Sequence, residues 1–351
     1  ILEDRPLWSS IRYFAPILIF LLYGSLIDVL GSYWSFIISV LSVLIGATLQ
    51  VITEPNSMAD IFRYLSALQN GHVALQVIAA RMTTSGMQLT SLCWVNAAYS
   101  SAIYAGPYLK KLLSQLIGSN IPMAQVAAIV SAMSLVLTVV FLPYLNRKKG
   151  HYNDQTQVQP NTTTAFSNLA LKQVTEFPIL LALVTFPVFC YHHYDLEPGV
   201  ISWLLSCHRF VFVIATSTLP MLAIIVGERS IVDTSYILLL CTFIRMAWHV
   251  NGGVLDVAIT HLPIGYGLAV YSGMLTADIT RSTSLKHVGK ALFLTKLCAL
   301  GLQRTSAVVG QTLARTENLV SLPLLGGATY GILLCGSIAM RFFPEQRRSA
   351  R

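Results

Sequence analysis

The side chains with chemistry to offer are few, and nearly all of them interrupt apolar sequence. Asp28 lies in Gly24-Ser-Leu-Ile-Asp28-Val-Leu-Gly31, and His208-Arg209 breaks the run from Val200 to Val226. Arg245 precedes His249 by one helical turn, with Asp256 beyond them, and Lys296 and Arg304 lie eight apart, again nearly on one face. An ionised side chain facing lipid costs about 2.5–3.5 kcal/mol at a helix centre even on the mildest scale. Arg209, Arg245, His249, Lys296 and Arg304 are therefore expected to line a cavity, where cations favour anionic or polarised solutes. Two plainer readings stand beside this one: a wet external turn at Trp248-His249-Val-Asn251-Gly-Gly253, and an Arg304 that only snorkels to an interface. Arg81, Asn96 and Asp278 are weaker candidates. No acidic residue falls securely at mid-membrane depth, so this reading nominates no proton-coupling carboxylate.

Catalytic patterns are absent. The sequence contains no GxxxxGK[ST], HExxH or GxSxG, which removes the simplest ATPase, zinc protease and serine hydrolase readings. Six cysteines are scattered singly without metal-ligand spacing and read as small buried hydrophobes, so no cofactor or metal is expected. A membrane-embedded lipid-modifying transferase, using His249, His261 or the His192-His193 pair near an interface, is the enzyme alternative; it would want an acidic metal-binding cluster, and Asn153-Asp154 is too isolated to supply one.

The elements that must position these residues are read from composition. Of 351 residues 54% are hydrophobic and 11% charged, with 23 basic and 15 acidic side chains. A soluble domain would carry about 25% charged residues, so the expected fold is all-α and polytopic, with about eleven transmembrane helices in two bundles. Apolar runs at Tyr13 to Val29, Tyr33 to Ile52, Met87 to Ile103 and Ala124 to Leu145 each suit a crossing, while Ile61 to Leu65 paired with His72 to Ala80 gives one weak, irregular span. Gly150 to Thr164 is the longest polar segment and divides the chain. Six further spans follow, beginning at Phe177 and ending near Met340. The expected domains are a bundle over 1–146 with about five spans, a cytoplasmic linker over 147–176, a six-span bundle over 177–341 and a basic cytoplasmic tail over 342–351.

Orientation follows from the positive-inside bias. Arg147-Lys148-Lys149, the loop carrying Arg281, Lys286 and Lys290, and the tail with Arg341, Arg347, Arg348 and Arg351 are separated by even numbers of spans, so all three fall on the inner side. The net charge of +8 sits between apolar runs instead of on one solvated face, which argues against nucleic acid as a partner. On this orientation the Asn161-Thr162-Thr163 triplet lies inside, where glycosylation would not occur. The chain opens on Ile1, and no signal peptide is visible.

Gly24-Ser-Leu-Ile-Asp28-Val-Leu-Gly31 resembles the GxxxDxxG core of the signature loop between the second and third helices of the major facilitator superfamily, without the basic residues that usually follow. Ala105-Gly-Pro-Tyr-Leu-Lys-Lys-Leu-Leu113 and Ser134 to Tyr144 are similar to the fifth and sixth helices of its fungal multidrug-type branch. Gly265 to Leu275, His287-Val-Gly289-Lys-Ala-Leu and Leu324 to Gly331 are similar to the tenth, eleventh and twelfth. The resemblance implies that the chain begins just before family helix two and lacks the first helix. It implies a secondary transporter that moves a small organic solute across the bilayer by alternating access, with efflux, proton coupling and the plasma membrane as further expectations. It also implies that Asp28 helps gate inward opening, with Gly24 allowing close helix approach and Gly31 the turn. An incomplete, non-transporting remnant is the remaining alternative.

Overall fold

The computed structural model describes residues 6–52, 59–117, 123–147, 161–248, 254–315 and 321–342, and every regular element among them is helical. In chain order these are α1 (Pro6–Leu30), α2 (Ser32–Ile52), α3 (Ala59–Leu68), α4 (Gly71–Met82), a 3₁₀ turn at Ser85–Met87, α5 (Gln88–Ile117), α6 (Met123–Arg147), α7 (Thr162–Tyr194), α8 (Pro198–Val226), α9 (Glu228–Ala247), α10 (Val254–Ser282), α11 (Val288–Arg315) and α12 (Ser321–Phe342). Among the described residues, α2 and α7 to α12 are long and apolar enough to cross a bilayer. In lipid every backbone polar group must be satisfied within the chain, which leaves the helix as the form for such apolar runs. Their hydroxyls obey the same rule. Ser42, Thr138 and Thr216 each bond the carbonyl four residues back, at 2.7 Å. Bulky apolar side chains stay on the outside, as at Ile224, which is 83% exposed and suited to lipid.

The described helices form an all-α polytopic membrane protein that divides into two compact units. The first comprises residues 1–95, 105–162 and 280–297, and the second 96–104, 163–279 and 298–351. In the first, α2 packs along α4 and α6, and α1 packs against α3. Its core joins Tyr23 and Ile27 of α1, Val73 and Val77 of α4, and Leu292 and Phe293 of α11. In the second, α9 runs along α12, and Phe186, Ile201, Leu204 and Val257 form a cluster between α7, α8 and α10.

Three features depart from the sequence expectations. The weak span before Met87 is two short helices, α3 and α4, separated at Gln69-Asn70. Helix α7 starts at Thr162, so the later part of the linker expected over 147–176 is helix, and both Lys172 and Glu176 within it are 4% exposed. The corner from Thr280 to Leu297 groups with residues of the first unit instead of with the rest of the expected 177–341 bundle. Side-chain packing helps to hold it there. Phe293 wedges against Gly24, where an added Cβ would stand 2.7 Å from its Cβ, and its ring lies 4.7 Å from that of Phe20. At the α1–α2 corner Gly31 adopts φ 88°, a left-handed conformation that costs other residues about 1–2 kcal/mol.

Gly24→Val should lower the unfolding midpoint of detergent-solubilised protein, at an overpacking cost of about 1–3 kcal/mol. Gly327→Ala, where an added Cβ meets nothing within 4 Å, should not lower it, since alanine is the better helix former. Equal midpoints for the two variants would refute the close Gly24–Phe293 approach.

Candidate functional site

Asp28 ends α1, and its carboxylate collects three donors. Arg81 Nη2 of α4 donates at 2.8 Å, and the backbone amides of Gly289 and Lys290 donate at 3.0 and 2.9 Å. Those amides belong to the first turn of α11, which has no intrahelical acceptors for them, and a negative charge is favoured at that end of the helix dipole. The Asp28 and Arg81 side chains are only 6% and 13% exposed. Arg81 also donates from Nε to the Leu285 carbonyl at 3.3 Å, while Arg281 Nε of α10 donates to the Ser85 carbonyl at 3.0 Å. The Asn161 amide, just before α7, bonds the Ser282 carbonyl at 3.1 Å. The ends of α1 and α4 and the start of α11 thus meet at one carboxylate–guanidinium pair, and the Leu285 carbonyl ties the α10–α11 corner to it. These are the ends that the charge bias assigns to the inner side. Gly289 is the small residue that this geometry requires, because a Cβ there would stand 2.4 Å from Asp28 Oδ1.

Two turns further along α11, Lys296 Nζ donates to Asn70 Oδ1 at 2.8 Å. Asn70 occupies the break between α3 and α4: its side-chain amide donates to the Ala67 carbonyl at 2.8 Å, and its own carbonyl accepts from Val73 at 3.0 Å. Lys296 is half-buried and has a neutral amide, not a carboxylate, as its partner among the described residues.

The second unit holds further polar groups. On α7, Lys172 Nζ pairs with Glu176 Oε1 at 2.6 Å, and Tyr330 of α12 donates to the Thr175 carbonyl at 2.6 Å. Asp233 of α9 is held by Ser337 and Arg341 of α12. His208 of α8 and His261 of α10 are both buried, and each has an Nε2 without a partner among the described residues. They line a small cavity with Leu183, Phe186, Leu204 and Ala258. Among the described residues no three His, Cys, Asp or Glu side chains group in a way that suits a metal ion.

The structure brings Gly24, Asp28, Gly31 and Lys296 into the first unit, where the first two touch the α11 segment. Arg245 pairs with Asp256 near the ends of α9 and α10. Arg209 and Arg304 are exposed and make no hydrogen bond or ion pair among the described residues. His249 lies outside the described residues, as do the side chains of His192 and His193. Sequence reasoning underweighted Arg81, which stands 53 positions from Asp28 with no local spacing to connect them. It missed Asn70, Lys172 and Glu176 altogether. The one available signal was the i,i+4 spacing of Lys172 and Glu176, which lets opposite charges meet on one helix face.

No family model matches the chain, and no curated protein matches it in sequence. Solved structures do match. The chain is similar to the human organic anion transporter MFSD10 with a TM-score of 0.68 at 15% identity, over 93% of this chain and 82% of that one. It is similar to FucP, a major facilitator superfamily transporter from E. coli, with a TM-score of 0.63 at 14% identity, over 94% and 88% of the two chains. A bacterial homologue of the iron transporter ferroportin gives 0.61 at 15% identity, over 96% and 91%. The fold is that of the major facilitator transporters.

Asp28→Ala should destabilise the protein by about 3 kcal/mol, because Arg81 is left buried without its counter-charge. Gly289→Ala should destabilise it too while keeping both charges, by displacing the carboxylate. Unfolding midpoints in detergent decide the matter, and wild-type values for both variants would show that the Asp28 contacts do not stabilise the fold.

Proposed function

We propose that this chain is a secondary transporter, in a branch similar to the fungal multidrug type, that carries a small organic solute across the plasma membrane by alternating access, in the export direction. The observation that carries the reading is the set of partners around Asp28. Two backbone amides and one guanidinium hold the carboxylate, so the contact can be released and remade without unwinding a helix. A fastening of that kind, at the inner ends of α1, α4 and α11, suits a gate that closes the inner side and opens in turn. Discontinuous helices are a recurrent feature of solute sites in transporters, and the α3–α4 break at Asn70 supplies one.

The solute is anionic or strongly polarised. Lys296 supports this, because a half-buried ammonium held only by an amide oxygen can exchange that oxygen for a carboxylate, sulfonate or phosphate oxygen and gain a charge-assisted bond. The human protein of the same fold is an organic anion transporter. Asp28, Gly24 and Gly31 form the gate, and Lys296 lines the path; Arg209, Arg245, His249 and Arg304 are assigned to the polar lining further along.

Purified protein in proteoliposomes should move labelled organic anions faster than empty vesicles do, with saturation and exchange against unlabelled solute on the far side. Lys296→Met should weaken anion uptake about tenfold or more, and Lys296→Arg should retain most of it. Flux equal to that of empty vesicles across anionic, neutral and cationic solutes would overturn the transporter reading, while anion flux indifferent to Lys296→Met would overturn the role of the lysine alone.

A further inference from the structure

His208 of α8 and His261 of α10 have no part in the function proposed above. They are only 8% and 6% exposed, and each carries an Nε2 with no partner among the described residues. A buried polar atom left unpaired forfeits its hydration without return, so native interiors seldom keep one. Here there are two in one place, since both rings line a single small cavity between α7, α8 and α10.

The walls hold the rings in place. Phe186 of α7 meets the His261 ring edge to face, with centroids 4.3 Å apart and planes at 73°. One turn along α10 from His261, Gly265 lets α8 come close: a Cβ there would stand 3.0 Å from the His208 carbonyl oxygen and 3.2 Å from Cε1 of its ring. Helix α7 adds a third polar group. Leu183 forms part of the wall, and the residue four places on, whose amide would bond the Leu183 carbonyl in an unbroken helix, is Pro187, which has no amide hydrogen. The other side chains of the wall are leucine, phenylalanine and alanine. The room open to the centre of a water-sized occupant is about 10 Å³.

We propose that this cavity is a binding site for one water molecule, which bridges His208 Nε2 to His261 Nε2 and takes the Leu183 carbonyl as its third partner. A cavity of about 10–15 Å³ on this measure holds a single water when two to four polar groups serve it. Water also suits either tautomer, because the Nε2 of a neutral imidazole is a donor or an acceptor and water can answer both. A metal ion would bring charge into an apolar wall that offers no anionic ligand, and a larger solute would not fit. The bridge joins α8 to α10 through a shared partner, so each imidazole is satisfied only while the other is present. The site lies wholly in the second unit and does not depend on the transporter reading.

A density map of the full-length protein in lipid nanodiscs, at a resolution that shows ordered water, should carry one peak about 2.7–3.2 Å from both Nε2 atoms. No peak there, direct contact between the two imidazoles, or a peak at the roughly 2.0–2.1 Å of a metal–nitrogen bond would overturn the site. A second measurement reads the bridge itself. His208→Leu and His261→Leu should each lower the unfolding midpoint in detergent, because each leaves the water and the remaining imidazole short of a bond. The double variant lets the walls close on apolar side chains, so its midpoint should fall by clearly less than the two single shifts added together. Additive shifts would show that no shared water joins the rings.

Discussion

Charge inside an apolar protein has to be answered locally, and the Asp28 carboxylate is where this constraint organises the most structure. At 6% exposure it cannot rely on water. Its three donors come from α4 and from the first turn of α11, more than 250 positions away along the chain. Meeting that demand draws the α10–α11 corner into the unit built by α1 to α4, and the packing of Phe293 on Gly24 then follows from the same approach. The Gly31 turn aims the start of α2, and Ser35 closes it by bonding the Gly31 carbonyl at 3.1 Å. The residues of the motif thereby divide the work physically, with close approach at Gly24, charge at Asp28 and chain reversal at Gly31.

The same constraint bears on three further charged sites, one half-buried at Lys296 and two buried at Lys172–Glu176 and at Asp233. Lys296 is a cation held by a neutral oxygen at a break between helices, which suits it to trade partners with an incoming anion. Lys172 and Glu176 neutralise each other within α7. Arg341 and Asp233 link α12 to α9, and Arg245 and Asp256 link α9 to α10, so these pairs have the fastening role that the α7 pair lacks.

Long apolar runs with charges at their ends made α2, α8 and α12 legible, because lipid leaves such segments no form but the helix. The glycines and aspartate around position 28 were legible as a motif, and the lysine on α11 as a cation at an unsuitable depth. Partners distant in sequence were not. Nothing local ties Arg81 to Asp28 or Asn70 to Lys296, since both contacts depend on how helices pack. The start of α7 was misread for a different reason. Its first turns carry Thr, Asn, Lys and Gln, and a hydropathy reading counts Lys172 and Glu176 as two charges although on one helix face they make a single neutral pair.

The Asp28 carboxylate holds the end of α1 and the start of α11 together. Spin labels at Val29→Cys and Lys286→Cys, both on exposed positions flanking the contact, report that separation directly in lipid-reconstituted protein whose exposed Cys241 and Cys335 are replaced by serine. Adding Asp28→Asn should shift the distance distribution to a longer, broader population, because a neutral amide is a poor acceptor for Arg81 and for the α11 amides. A distribution unchanged from that of the Asp28 protein would show that the carboxylate does not hold the two helix ends together.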